Sequence, residues 1–360
     1  GTVEKRVALA EQRWKQCKAS GDTHFVIVNY DVVWREEMRK WIASKRWDVV
    51  VYDESHKLKS PSGRASLFAR QLRSFTDKVI LASGTILSHS PLDAFGQFRA
   101  AAPWVFGSSY VAFRNKYAVL GGPQKKWVAG YQNVQDLEDR MAPLTYRITK
   151  REALPDLPSE QELTQSTTLK PEAMKIYRSL EREMIAEIEG ETITAANAMV
   201  KMLRLQQLTG GSLPTDDGKY HQVDDGKKLL LADVVEDLGD KPVVIFCRFR
   251  ADIDAAHEAC KEAGAASMEL SGVRNDLEEW QAGKGQALVV QVQSGSVGIS
   301  LVRASVAIYY SLSSSLAEFD QSRARIHRPG QKHNCLYLYL VAKGTIDEQI
   351  LESLRAREEV

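Results

Sequence analysis

Short apolar runs alternate with amphipathic stretches along most of the chain. Residues 3 to 18 carry apolar positions at helical spacing and predict an amphipathic helix. The Gly21-Asp22 turn then separates it from an apolar run, Phe25 to Val28, that predicts a strand. A helix around Arg35 to Ser44 leads to a second predicted strand, Val49 to Tyr52, read as buried and followed by Asp53 and Glu54. After the polar loop Lys57 to Gly63 come a helix reaching Leu72 and a third strand, Val79 to Ala82, closed by Ser83-Gly84-Thr85. Strands that alternate with helices imply a parallel sheet whose ligands sit at the strands' carboxyl ends, where Asn29, Asp53, Glu54 and Thr85 all fall.

From Pro91 to Arg147 the strand signal fades into a mixed segment carrying Trp104, Phe106, Phe113, Tyr117 and Trp127. These aromatics suit the core of a small helical insert; stacking on nucleic-acid bases is the other reading. Two prolines in KREALPDLPSE, residues 150 to 160, mark a domain boundary. Helical patterns follow over Leu169 to Gly190 and Ala195 to Leu208, the second broken by Gly210-Gly211. A second alternating series then runs through strand Val243 to Cys247, helix Ile253 to Ala263, strands Ala287 to Val292 and Val306 to Tyr310, a basic helix, and strand Leu336 to Val341. The expected fold class is α/β: two tandem lobes with parallel sheets, residues 1–153 and 154–360. Helical excursions are expected at about 100–145 and about 165–210.

Composition adds bounds. A chain of 360 residues with 44% hydrophobic and 26% charged positions is that of an ordinary globular protein with room for two cores. Its net charge of +1 conceals a split: residues 1–150 carry 24 Lys and Arg against 14 Asp and Glu, the remainder 24 against 33. A basic first half favours a polyanionic partner. The four cysteines lie far apart and suggest neither a zinc site nor a disulfide framework, as in a reduced, intracellular setting. No apolar run approaches membrane-spanning length, so no membrane partner is expected.

Two stretches carry candidate chemistry. Residues 321–331 read QSRARIHRPGQ, and a helix starting at Gln321 would place Arg325 and Arg328 on the same face before Pro329-Gly330 ends it. Paired guanidinium forks suit a trianionic phosphate tail, while a solvated basic helix face is the plainer alternative. Upstream, Asp53 at a strand's carboxyl end could hold Mg²⁺ and its neighbour Glu54 could orient a water, the other half of a nucleotide-hydrolysing site.

In order along the chain, these motifs resemble the SNF2 (Swi2/Snf2) family of superfamily 2 helicase-like ATPases. DESHKLKS at 53–60 is similar to the family's motif II, LASGT at 81–85 to motif III, VVIFCRF at 243–249 to motif IV, SGSVGISL at 294–301 to motif V, and QSRARIHRPGQ to motif VI. The resemblance implies two RecA-like lobes with ATP hydrolysed at the cleft between them, Mg²⁺ as cofactor and double-stranded DNA as track. It implies Glu54 as the base, Arg325 and Arg328 as transition-state arginines, and Asp53, Gln321 and Gly298 at the nucleotide and metal. His56, Ser83 and Thr85 would couple the nucleotide to the track. Lys57, Lys59, Arg64, Lys150, Ser294 and Ser296 would be contacts to nucleic acid. Backbone tracking does not exclude RNA. A strand-separating helicase on DNA or RNA, and a non-catalytic nucleic-acid-binding module with relic motifs, stand as alternatives.

The sequence departs from the family at one motif. No GxxxxGK[ST] phosphate loop is present: Gly218-Lys219, Gly226-Lys227 and Gly283-Lys284 are followed by Tyr, Lys and Gly. Motif Ia is also missing, so roughly the first 80 to 100 residues of lobe one are expected to be absent and this chain alone to be inactive. The short protrusions resemble those of compact prokaryotic or viral members, which implies a cytoplasmic, nucleoid-associated or infected-cell setting.

Overall fold

Val243–Cys247 is buried at all five positions, and Ala287, Leu288, Val289, Val290 and Val306 to Tyr309 are buried likewise. Such unbroken apolar strands form only where both faces of a parallel sheet are covered. The computed structural model describes residues 2–84, 86–87, 90–122, 127–189, 195–215, 218–292 and 298–358. The chain divides into two units, Gly1–Arg147 and Ile148–Val360.

Unit 1 contains α1 (Val3–Ser20), α2 (Tyr30–Val33), α3 (Glu36–Ala43), β1 (Trp47–Tyr52), α4 (Arg64–Leu72) and β2 (Thr76–Leu81). It continues with α5 (Ala94–Ala101), α6 (Pro103–Phe106), α7 (Tyr110–Tyr117), the antiparallel pair β3 (Ala118–Gly121) and β4 (Trp127–Tyr131), and α8 (Val134–Met141). β1 and β2 pair in parallel from Trp47↔Thr76 to Tyr52↔Leu81. One face of this sheet packs on α1, α3 and α4 through Val50, Trp41, Ile42, Phe68 and Leu72, with Trp14, Trp41 and Trp47 meeting edge to face at centroid distances of 5.0 to 6.4 Å. The other face is open: Val49, Val51 and Ile80 are 47%, 57% and 52% exposed.

Two expectations for this unit fail. Val49–Tyr52 is a strand but not a buried one, because only its inward positions have a layer to pack against. Phe25–Val28 forms no strand. Val26 and Val28 turn inward while Phe25 and Ile27 are almost fully exposed, so the alternation of a strand is present without a hydrogen-bonded neighbour. The insert's aromatics divide. Phe106, Phe113 and Tyr117 join Phe95 and Phe98 in a separate core, whereas Trp104 and Trp127 remain exposed.

Unit 2 contains α9 (Lys150–Ala153), β5 (Glu160–Thr167), α10 (Pro171–Glu189), α11 (Ala195–Thr209), the small pair β6 (Ser212–Pro214) and β7 (Tyr220–Gln222), and α12 (Gly226–Asp237). Then follow β8 (Val243–Cys247), α13 (Arg250–Glu262), β9 (Ser267–Leu270), α14 (Leu277–Gln281), β10 (Ala287–Gln291), β11 (Val306–Tyr309), α15 (Leu316–Arg323), β12 (Cys335–Ala342) and α16 (Ile346–Glu358). The six-stranded sheet runs β5-β12-β11-β8-β10-β9 with every pair parallel. Alternation along each strand feeds two cores. Val244, Phe246, Leu288 and Val290 face one side with Tyr177 and Leu205, and Val243, Ile245, Val289 and Ile308 face the other with Leu231 and Ala256. The α/β expectation, with two tandem units, holds.

Candidate functional site

At the carboxyl end of β1 the chain turns sharply. Glu54 sits at φ 50° and ψ 51°, in the left-handed region that a residue with a Cβ enters at a cost, and opens a 3₁₀ turn over Ser55–Leu58. Three contacts hold this turn. The Glu54 N–H donates to Asp53 Oδ1 at 3.0 Å, the Tyr30 hydroxyl donates to the Asp53 carbonyl at 2.8 Å, and the Ser55 N–H donates to Ala82 O at 2.9 Å. Beneath it the fully buried Gln97 accepts from the Ser55 hydroxyl at 2.8 Å and donates to Ile86 O and Asp93 O. Gly96 makes this seat possible, because a Cβ there would lie 2.1 Å from Leu58 O and 2.8 Å from Lys59 O.

His56 lies between the two sequence-predicted groups. Its Nδ1 is 3.2 Å from Glu54 Oε2 and 3.4 Å from Ser83 Oγ, so the ends of β1 and β2 meet at one imidazole. Burial lowers its pKa below the ordinary 6.5, with Glu54 opposing. Burial, with Asp53 and Glu54 nearby, pushes the Tyr30 phenol well above its usual range, so it remains a donor. Asp53 is exposed and Glu54 half-exposed. The structure therefore gathers Asp53, Glu54, His56 and Ser83 at one sheet end. Thr85 lies outside the described residues.

In unit 2 the arginine segment differs from its expected form. α15 begins earlier, capped by the Ser315 hydroxyl, and ends at Arg323, so Arg325 and Arg328 lie in the turns beyond it and share no helix face. Those turns are bonded locally, with His327 N to Arg323 O at 3.0 Å and Ile326 N to Arg323 O at 3.0 Å. They are also tied to the neighbouring loop. Arg328 donates from Nη1 to Ile299 O at 2.9 Å, and Leu301 N donates to Arg325 O at 2.9 Å. Arg323, which sequence reasoning passed over, anchors the helix end by an ion pair with Glu162 at 2.5 Å and by lying 4.5 Å over the Tyr337 ring. His327 donates from Nε2 to Pro158 O at 2.7 Å, joining the arginine turns to the start of β5. The buried Gln331 amide spans Ala304 O at 2.8 Å and the N–H groups of Lys332 and His333.

Gln321 lies on α15, one turn from Arg325, and Gly298 is exposed with open space where a side chain would point. Packing within the described residues therefore does not demand a glycine at 298. Ser294 and Ser296 lie outside the described residues.

Of the candidate nucleic-acid contacts, Lys57, Lys59 and Arg64 belong to unit 1. Lys57 lies 5.6 Å over the Tyr30 ring, Lys59 ends the 3₁₀ turn, and Arg64 opens α4 with its guanidinium 4.6 Å over Trp34. Lys150 belongs to unit 2, where burial lowers its pKa against the opposing pull of Glu160. Tyr30, Gln97 and Arg323 had no distinguishing signal in the sequence, because each acts through a contact made by folding. Among the described residues no cluster of three or more His, Cys, Asp or Glu could cage a metal.

Comparison with known proteins adds a lineage. Residues 4–210 match the SNF2-related domain and residues 226–330 the helicase conserved C-terminal domain. The chain is 24% identical to an uncharacterized ATP-dependent helicase of Mycoplasma genitalium over 331 residues, 89% of this chain and 31% of that protein. It is 24% identical to the ATP-dependent helicase YqhH of Bacillus subtilis over 95% of this chain and 63% of that protein. The chain thus spans about a third of the first relative and less than two thirds of the second. The Sulfolobus solfataricus SWI2/SNF2 ATPase core, solved in complex with dsDNA, is 21% identical with a TM-score of 0.44, covering 92% of this chain and 70% of that one.

Proposed function

Because this chain belongs to the SNF2-related family, we propose that it forms most of an ATP- and Mg²⁺-dependent motor that translocates along double-stranded DNA. The observation that carries the reading is the turn at the end of β1, where Glu54, strained into the left-handed region, lies within reach of His56 and beside an exposed Asp53. Strain of this kind is kept where a side chain must point in one direction.

Asp53 fits Mg²⁺ through a water shell. It is an exposed hard-oxygen donor, and one of its oxygens is engaged by a backbone N–H. Bound there, Mg²⁺ would neutralise charge on the phosphate tail of ATP. Glu54 accepts the proton of the attacking water and His56, neutral near pH 7, reports the state of that carboxylate to Ser83. Arg325 and Arg328 stabilise charge developing on the transferred phosphoryl group, and Gln321 orients beside them. Residues of both units thus serve one nucleotide, so turnover becomes relative motion of the lobes.

On this reading a phosphate loop is supplied from outside these 360 residues, and this chain alone is inactive. Strands from the same source would cover the apolar face shown by Val49, Val51 and Ile80. The test is ATP hydrolysis by this chain, and by a longer polypeptide that includes a phosphate loop, with and without duplex DNA. The reading expects turnover from the longer form only, stimulated by duplex. Robust turnover by the chain alone, or none from either, overturns it. Triplex displacement without strand separation distinguishes translocation from unwinding.

A further inference from the structure

The sequence-predicted contacts include one member, Arg64, of a basic concavity that extends well beyond the motifs. Between α3 and α4 lies a hollow of about 970 Å³ lined by Trp34, Arg35, Glu36, Arg39, Arg64 and Arg70, among others. Its only carboxylate, Glu36, is engaged by Lys40 at 2.6 Å. Arg35 donates from Nε to the Asp31 backbone at 3.3 Å, and among the described residues none of the four arginines has a carboxylate partner within 4.0 Å. Arg70 also bears on Arg99, whose pKa is lowered first by burial and then by this neighbour's charge. Four guanidinium groups thus line the hollow, with Glu36, already paired to Lys40, as the carboxylate beside them.

We propose that this hollow is a second binding surface for the phosphate backbone of duplex nucleic acid, set apart from the turn that carries Asp53 and Glu54. The choice of arginine supports a phosphate ligand, since its planar fork meets phosphate oxygens in pairs. The aromatic lining argues against unpaired bases. The Arg64 guanidinium already lies 4.6 Å over the Trp34 ring, where a base would stack, and Phe68 is 3% exposed. Contact is then with backbone alone, which reads no sequence and suits a duplex. Arg64, on the lining of the hollow, opens α4 at the end of the loop that follows Glu54. The proposal rests on the duplex-tracking reading for its choice of partner, and places part of the grip outside the motifs.

The test is binding of a blunt duplex to this chain across a series of salt concentrations, for wild type, R35E/R39E/R70E and R35K/R39K/R70K. All three side chains are exposed, so unfolding curves should coincide. The proposal expects the Glu variant to bind at least about tenfold more weakly at moderate salt. Its plot of log affinity against log salt should be shallower by about two to three, the slope owed to as many phosphates. The Lys variant should keep the salt slope and lose only part of the affinity. Unchanged affinity and slope in the Glu variant overturn the proposal. So does displacement of wild-type binding to poly-glutamate, rather than to duplex, by the same substitutions, which would make the partner an acidic protein segment. Failure of the motor reading shows separately, as absence of DNA-stimulated turnover in the longer wild-type polypeptide.

Discussion

The Glu54 carboxylate lies 3.2 Å from Nδ1 of His56 while the Glu54 backbone is held at φ 50°. The two facts belong together. An ordinary right-handed or extended backbone at position 54 would send the carboxylate elsewhere, so the strained dihedral is what brings acid and imidazole to the same place.

Glu54→Gln keeps the size and backbone preference of the native residue and removes the base. In a polypeptide that turns over ATP, nucleotide binding should persist while hydrolysis falls by orders of magnitude. Glu54→Gly should abolish turnover equally but leave unfolding stability unchanged or raised by up to about 1 kcal/mol, since glycine occupies this region without strain. Normal hydrolysis by either variant removes Glu54 from the reaction; a marked loss of stability in the glycine variant removes the strain.

Gly96→Ala places a methyl group 2.1 Å from Leu58 O, backbone that cannot yield without moving the 3₁₀ turn. Overpacking of this kind costs about 1–3 kcal/mol. Urea unfolding should show that loss, and turnover should fall with it because Asp53 to Lys59 move as one piece. Unaltered stability would mean that α5 shifts freely, and that Gln97 beneath Ser55 does not fix the turn.

Arg328→Ala should reduce hydrolysis by about 10³-fold or more while leaving affinity for duplex nearly unchanged. The native guanidinium already donates to Ile299 O, so its removal also frees one carbonyl at the edge of the neighbouring loop. A defect confined to DNA affinity would move Arg328 from the nucleotide to the track.

Asp252 supplies a pH dependence. It is wholly buried, and burial raises its pKa from 3.8 to about 6 against hydrogen bonds from Ser311 Oγ at 2.5 Å and Phe249 N at 3.1 Å. Between those values the folded state holds a proton that the unfolded state has released. The contribution of this group is therefore most stabilising on the acid side and is lost as pH rises from about 4 through about 6. Asp252→Asn should flatten unfolding stability over that interval, as measured by urea titration at several pH values; an unchanged profile would mean that another group titrates there.

The central strands of unit 2 were legible because β8, β10 and β11 are buried on both faces and read as unbroken apolar runs. Both strands missed in that sheet are its edges. β5 reads EQELTQST and β9 reads SMEL, and an edge strand needs few apolar positions. At the candidate site, motif spacing located Asp53, Glu54, His56 and Ser83. Spacing could not show that α15 stops at Arg323, whose guanidinium bonds across to Glu162 on a strand 161 residues earlier. Tyr30 and Gln97 were hidden for the same reason. Their partners, Asp53 and Ser55, are 23 and 42 residues away, and nothing in local pattern marks such pairs.

β5 is paired along all eight of its residues with β12 and, among the described residues, with no other strand. The first strand of unit 2 in the chain must therefore wait, during synthesis and refolding alike, until the last has been made. Its ladder closes a loop of more than 160 residues, a non-local pairing of the kind that slows folding. Through that interval Glu160, Gln161, Glu162, Thr164 and Gln165 keep the unpaired strand hydrated and poor at pairing with other chains. The polar sequence that conceals β5 as a strand is thus also what keeps it available for β12.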